Sequence, residues 1–347
     1  MALKLFARNK IDKKKAGADS SSDKSSPPPR PKTPSKQVDY QPAPPENLDD
    51  NALMRMLDQG RYAAIIRDRD LWEGHGELEE VVKQATGELE RRMAIVPAGL
   101  VAIPTTLVDQ PGAPEEESDV EPFLLCVHAV TNAEYQRFVD DGGYESLEYW
   151  PEDIWPHLIE FKDLTDNLGP ACWRGGRHDQ RFGDHPVVGV SWIEAQAYSL
   201  WIGLRLPTDV EWQVAASWGI KSAADIHRRF PWGDAMDNTR CNIWSTRLGH
   251  TAPVSAYPTG ASPNRIMQLV GNVWEWTATE FDVTDESGRP ILGEMIMQAI
   301  RGGAFDTYFE TQATAQFRTG LIALSRAHNV GFRCAMDLGQ ATWVSGE

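Results

Sequence analysis

HPVVGVSWIEAQAYSLWIGLRLPTDVEW, residues 185–212, decides the reading of the fold. Val187–Val190 is a short β-branched run of the kind strands use. Ser191 then stands where a helix starts, and Glu194 follows three residues later. In that spacing the serine oxygen accepts from the third amide of the helix, and the glutamate reaches back to the serine amide. Apolar residues continue to Gly203, a residue that ends helices. Thr208 and Glu211 repeat the signature, and Arg205 lies within reach of Glu211 for an ion pair that pins loop to helix. Upstream, Thr131 and Glu134 do the same for a helix through Tyr135, Phe138 and Val139 that stops at Gly142-Gly143. Further strand-like pieces are Met93–Val96, Phe123–Val130, Ile296–Arg301 and Val330–Arg333. A few capped helices among short strands and many Gly and Pro residues predict a loop-rich α+β fold with short antiparallel strands. Nine of the 13 Trp residues lie between Trp173 and Trp276. In irregular backbone their flat side chains fill the core and their indole N–H groups bond loop carbonyls.

Outward from this body the composition changes. Residues 1–48 read as a basic, Pro/Ser-rich disordered tail and linker, too poor in apolar side chains to offset ordering entropy. Pro28, Pro29, Pro31 and Pro34 make a weak PxxP pattern there. Residues 49–92 have helical periodicity (Leu53, Met56, Leu57, then Leu78, Val81, Val82, Ala85, Leu89) and predict short amphipathic helices that dock on the body or on a partner. The body spans 93–338, and 339–347 form a C-terminal tail. Residues 1–36 hold ten Lys/Arg against three Asp, net +7, so the rest of this chain of net charge −16 carries −23. An acidic body argues against nucleic acid as its ligand. No apolar run is long enough for a membrane span, no export signal opens the chain, and four Cys are too few for a disulfide scaffold; these features point to a cytoplasmic protein with reduced thiols.

Familiar catalytic signatures are missing. There is no Gly-rich phosphate loop, Cys-x-x-Cys or His-Glu-x-x-His, and Ser191 is better explained as a helix cap than as a nucleophile. His178-Asp179 and Asp184-His185 read as polar turns rather than metal ligands.

A set of motifs nevertheless follows in order: Val130-Thr131-Asn132-Ala133-Glu134-Tyr135, His185-Pro186-Val187-Val188-Gly189-Val190-Ser191-Trp192 and Arg205-Leu206-Pro207-Thr208-Asp209-Val210-Glu211-Trp212. Phe230-Pro231-Trp232-Gly233-Asp234, Gly271-Asn272-Val273-Trp274-Glu275-Trp276-Thr277, Arg301-Gly302-Gly303 and Gly331-Phe332-Arg333 complete it. Together they resemble the formylglycine-generating enzyme, or sulfatase-modifying factor, family across residues 93–338. The resemblance implies a C-type-lectin-like fold and an oxidation of a substrate cysteine that uses copper and oxygen. It also implies a calcium site at Asn242, Ile243, Val270, Gly271, Val273 and Glu275, oxygen ligands of the hard type calcium takes. The other reading of that set is a loop in which Asn272 and Glu275 only hydrogen-bond their neighbours.

The family's copper-binding Cys-x-x-x-x-Cys pair would fall on Thr307 and Gln312, which cannot replace soft thiolates. The resemblance extends to sulfoxide synthases of the ergothioneine type, which add an N-terminal iron domain with a His cluster; only His75 precedes residue 128 here. It also extends to proteins that bind ligands between the Arg-Gly-Gly and Gly-Phe-Arg motifs. In this chain Phe305, Tyr308, Phe309, Phe317, Arg318 and Arg326 are the corresponding candidate anchors, since aromatic and Arg side chains serve well at interfaces. The expectation is therefore a non-catalytic protein that binds a protein partner or small ligand as part of a larger assembly. The alternative is an oxidoreductase of the formylglycine-generating type with a non-standard site, for which Cys172, Cys241, His178, His185 and His328 are the soft or basic candidates.

Overall fold

The structure is a computed structural model that describes residues 51–104, 115–217, 228–281 and 296–341. The tail and linker expected over 1–48, and the last residues of the C-terminal tail, lie outside the described residues. Chain order begins with α1 (Ala52–Gln59), α2 (Tyr62–Arg67) and α3 (Leu78–Arg92). Then come β1 (Met93–Val96), β2 (Gly99–Pro104), β3 (Glu115–Val120) and β4 (Phe123–Cys126), followed by α4 (Asn132–Asp140), α5 (Trp192–Ile202) and α6 (Asp209–Ser217). β5 (Trp274–Glu280), β6 (Met297–Arg301), β7 (Arg318–Ile322), β8 (Val330–Phe332) and β9 (Ala335–Asp337) close the series. This is the loop-rich α+β architecture expected. The strands form a β1-β4-β9 sheet, a β2-β3 hairpin and a β7-β6-β5-β8 sheet, antiparallel except for β5 beside β8.

The capping boxes form as read. Thr131 and Ser191 accept from the amides of Glu134 and Glu194, whose carboxylates reach back to the cap amides. Thr208 and Glu211 exchange the same two bonds at 3.3 and 2.7 Å. Arg205 holds Glu211 with two bonds of 2.8 and 2.7 Å. The Trp residues are mostly core, as expected: Trp150, Trp192 and Trp276 donate to the carbonyls of Gly143, Thr277 and Val190.

Two local readings differ. Val187–Val190 is not a strand. The left-handed Gly189 turns the chain there, and its amide goes to Ala327 while that of Val187 goes to Val130. The expected strand at Phe123–Val130 ends at Cys126, because the chain leaves the sheet to enter the α4 cap.

α1–α3 dock on the body. Leu53, Met56, Leu57, Ala63, Ala64 and Ile65 share one core with Tyr135, Phe138, Tyr198 and Trp201. Gly203 makes this possible: it caps α5 at φ +83°, and a Cβ there would stand 2.3 Å from the Ala64 amide nitrogen. Among the described residues no helix is long and apolar enough to cross a membrane.

Candidate functional site

The site is built on the turn that follows the Arg-Gly-Gly motif. Arg301 is fully buried and ion-paired to Asp209, which also takes Arg318 at 3.1 Å. This anchors the end of β6. Thr307 closes the turn: its hydroxyl accepts from the Ala304 amide at 2.8 Å, and its carbonyl accepts from Trp244 at 3.2 Å. With the turn fixed, Tyr308 and Phe309 point outward, 67% and 61% exposed, beside Trp244 at 56%. Ring centroids lie 6.2 Å apart for Trp244–Tyr308 and 5.2 Å for Tyr308–Phe309. Exposed aromatic side chains gathered at one turn mark a candidate contact surface.

A polar group adjoins it on the same turn. The Asp306 carboxylate accepts from Asn329 at 3.0 and 3.2 Å and faces His328 Nε2 at 3.2 Å. Phe305 is buried beneath, its ring 5.9 Å from that of His328. Asn329 is held in turn, since its carbonyl accepts from the first amide of β5 at 2.9 Å. The arrangement offers aromatic faces for a planar or cationic group and a carboxylate for a cationic nitrogen.

The expected ligand anchors therefore separate. Tyr308 and Phe309 face solvent, and Phe305 supports them. Phe317 packs on Trp274 at 6.0 Å. Arg318 is committed to Asp209, and Arg326 grips Glu194 with two bonds of 2.8 Å inside the fold. These two Arg residues are structural. Trp244, which joins from a distant loop, carried no local signal in the sequence.

Thr307 and Gln312 offer no thiolate, so copper does not fit there. The calcium set is brought together in part: Gly271 packs on the Asn242 backbone, and the Asn242 carbonyl accepts from the Asn272 amide at 2.7 Å. Its donors do not fit calcium, however. The one carboxylate, Glu275, is buried and taken by Arg333 at 2.6 and 2.7 Å and by the Trp212 indole at 2.8 Å. The Asn242 side-chain oxygen accepts from Thr246. Asn272 and Glu275 serve here as hydrogen-bonding partners of their loops.

The other soft and basic candidates sit apart. Cys241 is buried against Phe230, Ile243 and Val270, and burial pushes its thiol up to about 12. Cys172 is exposed. His178 packs edge-on to Trp173, and His185 meets Thr251 at 2.9 Å. Among the described residues no group of three or more His, Cys, Asp and Glu is placed to hold a metal.

Fold and site together define a loop-rich α+β scaffold that presents one aromatic and acidic surface at the turn after Arg301-Gly302-Gly303. The chain belongs to the sulfatase-modifying factor enzyme 1-like domain family, whose pattern matches residues 78–338. It is 42% identical over 175 residues to the hercynine oxygenase of Mycobacterium tuberculosis, covering 48% of this chain and 40% of that protein. It is 34% identical over 257 residues to the formylglycine-generating enzyme of Streptomyces coelicolor, covering 63% of this chain and 79% of that protein. A Bos taurus protein named inactive C-alpha-formylglycine-generating enzyme 2 is 29% identical over 262 residues, 65% of this chain and 81% of that protein. Among solved structures, PvdO from Pseudomonas aeruginosa aligns with a TM-score of 0.48 at 20% identity, over 71% of this chain and 94% of that one. The chain spans less than half the length of the hercynine oxygenases it matches. These relationships overturn the expectation of a non-catalytic binding protein. The higher identities are to proteins named as an oxygenase and a formylglycine-generating enzyme, and they favour the oxidoreductase alternative.

Proposed function

We propose that this chain is an oxidoreductase that seats its substrate on the turn surface of Trp244, Tyr308, Phe309, Asp306 and His328. The observation that carries this reading is the exposed aromatic trio beside a pre-oriented carboxylate, at the turn where the family resemblance implies its reactive residues. Relatives named for oxidative chemistry support it. The aromatic rings would bind and orient the substrate through their faces, and Asp306 would take a cationic nitrogen. Asn329 positions Asp306 and keeps its carboxylate from turning away. Thr307 and Gln312 supply no redox centre, so an oxygen-activating group would be held by residues other than this pair. A protein partner is one source of it.

The test pairs binding with turnover. The full chain is titrated with hercynine and with a Cys-x-Pro-x-Arg peptide, followed by Trp fluorescence. Oxygen uptake and product mass are then measured with added Fe(II) or Cu(I). One of the two substrates is expected to bind. Tyr308→Ala and Trp244→Ala should each weaken it roughly 5–10-fold, the scale of a single aromatic or cation–π contact. Asp306→Asn should weaken it more. Absence of binding and of oxidised product with both substrates would overturn the reading, as would binding that all three variants leave unchanged.

A further inference from the structure

A second feature shares no residue with the surface at the Ala304–Phe309 turn. Where α2 and α3 dock on the body they leave a cavity of about 340 Å³, open on one side. Its walls are largely apolar: Ala63 of α2, Leu89 of α3, Met93 of β1, Val130 ahead of α4, and Ile202 and Leu204 around the end of α5. A concave, mostly apolar space of this size with a few placed polar groups is the usual form of a small-molecule site.

Two polar side chains on the wall have a hydrogen-bonding atom to spare. Tyr198 is only 1% exposed, and its hydroxyl has no hydrogen-bond partner among the described residues. Burial raises this phenol well above its ordinary 10.0, so it stays an O–H donor. The other groups that act on it, Glu134, Cys334, Cys126 and Arg92, all line the cavity, which sets the hydroxyl at the cavity wall. His128 lies 3.0 Å from the Val254 carbonyl through Nδ1. A carbonyl only accepts, so Nδ1 carries the proton and Nε2 is left as an acceptor. Burial, with Arg333 nearby, lowers the affinity of this ring for a second proton. Buried polar side chains nearly always have a partner, so an unpaired hydroxyl on a cavity wall marks a place that water or a ligand completes.

The charges at the cavity are already matched. Arg92 pairs with Glu134 at 2.6 Å and with Glu88 at 3.5 Å, and Arg91 pairs with Glu88. The Arg92 guanidinium also lies 5.5 Å from the centre of the Tyr62 ring, which ties α2 to α3 at this point. Two Arg against two Glu leave no net charge for a ligand to answer.

We propose that this cavity binds a small, uncharged, largely apolar molecule whose polar end both accepts and donates a hydrogen bond, as a lactam, amide or azole does, accepting from Tyr198 and donating to His128. The ligand would fill the seam between α2–α3 and the body and hold the two together.

The experiment titrates the full chain with the bicyclic lactam carbostyril, followed by ligand-observed NMR. Naphthalene, of nearly the same shape without the polar end, and the anion quinaldate are the comparisons. Carbostyril is expected to bind at least several-fold more tightly than either, and to slow proteolysis across residues 51–92. Tyr198→Phe and His128→Phe should each weaken carbostyril roughly 3–10-fold, the scale of one hydrogen bond, and leave naphthalene unchanged. Met93→Trp should block the cavity to both. Circular dichroism of each variant confirms that it folds, and Tyr198→Phe, which keeps the ring in the core, decides the matter if His128→Phe does not. No binding of carbostyril would overturn the proposal and leave the cavity to water. Equal binding of carbostyril and naphthalene that Tyr198→Phe leaves unmoved would also overturn it, as would tighter binding of quinaldate. Binding that survives Met93→Trp would place the ligand elsewhere and overturn the site.

Discussion

Replacing Glu275 by Gln is a direct test of how the core beneath the site is held. The side chains of Glu275 and Arg333 are 1% and 0% exposed. Arg333 gives Nε and Nη2 to the carboxylate and spends its remaining donors on the carbonyls of Cys126, Val127 and Met267 at 3.0, 3.2 and 2.9 Å. Gln keeps the shape but leaves a buried guanidinium without its counter-charge and turns an amide N–H₂ toward other donors. Breaking a buried pair from one side costs about 3–5 kcal/mol. Unfolding entropy near 2.1 cal/mol/K per residue, over roughly 300 residues, is about 0.6 kcal/mol/K, so Tm should fall by about 5–8 °C. Scanning calorimetry in EDTA and in millimolar calcium measures this. Neither protein should respond to calcium, because the carboxylate already has its cation. Replacing the pair together, Glu275→Leu with Arg333→Met, should recover part of the loss. A fall below about 1 °C for Glu275→Gln would refute the reasoning. So would a calcium-induced rise in wild type that the substitution abolishes, since Glu275 would then be a metal ligand.

Other outcomes follow from the same structure. Burial alone would raise the Asp209 carboxyl, but Arg301 and Arg318 outweigh it and hold it below its ordinary 3.8. A lowered folded value means the stabilisation is complete above about pH 4 and is lost as pH falls through that value, so Asp209→Asn should flatten the acid limb of a stability–pH curve. A steeper limb in Asp209→Asn would contradict this. Gly203→Ala would force a Cβ into the Ala64 backbone at a left-handed φ; a loss of roughly 2 kcal/mol or more is expected, with faster proteolysis across residues 51–92. Brief alkylation of the native protein should modify Cys172 first, while Cys241 and Cys334 stay protected until unfolding; intact and peptide mass spectrometry reads the order.

The three helix starts, the Arg205–Glu211 pair and the Trp packing were legible in the chain because each depends on residues close in sequence or on a side chain with one good use. So was the family, through motifs in a fixed order. The role of Arg318 and Arg326 was not: an Arg near a binding segment looks the same whether it faces a ligand or a buried Asp209 or Glu194 from another element. Glu275 read as a calcium ligand for the same reason, its partner Arg333 standing 58 residues away. Trp244 joins Tyr308, and Tyr198 meets His128 at one cavity, only through long-range turn closure and helix docking. Local hydrogen-bonding rules act over three or four residues, so the sequence by itself determined where elements begin and what they are. Which charge meets which, and which side chains share a surface, depends on contacts whose loops are closed by the whole core, and that only the tertiary structure decided.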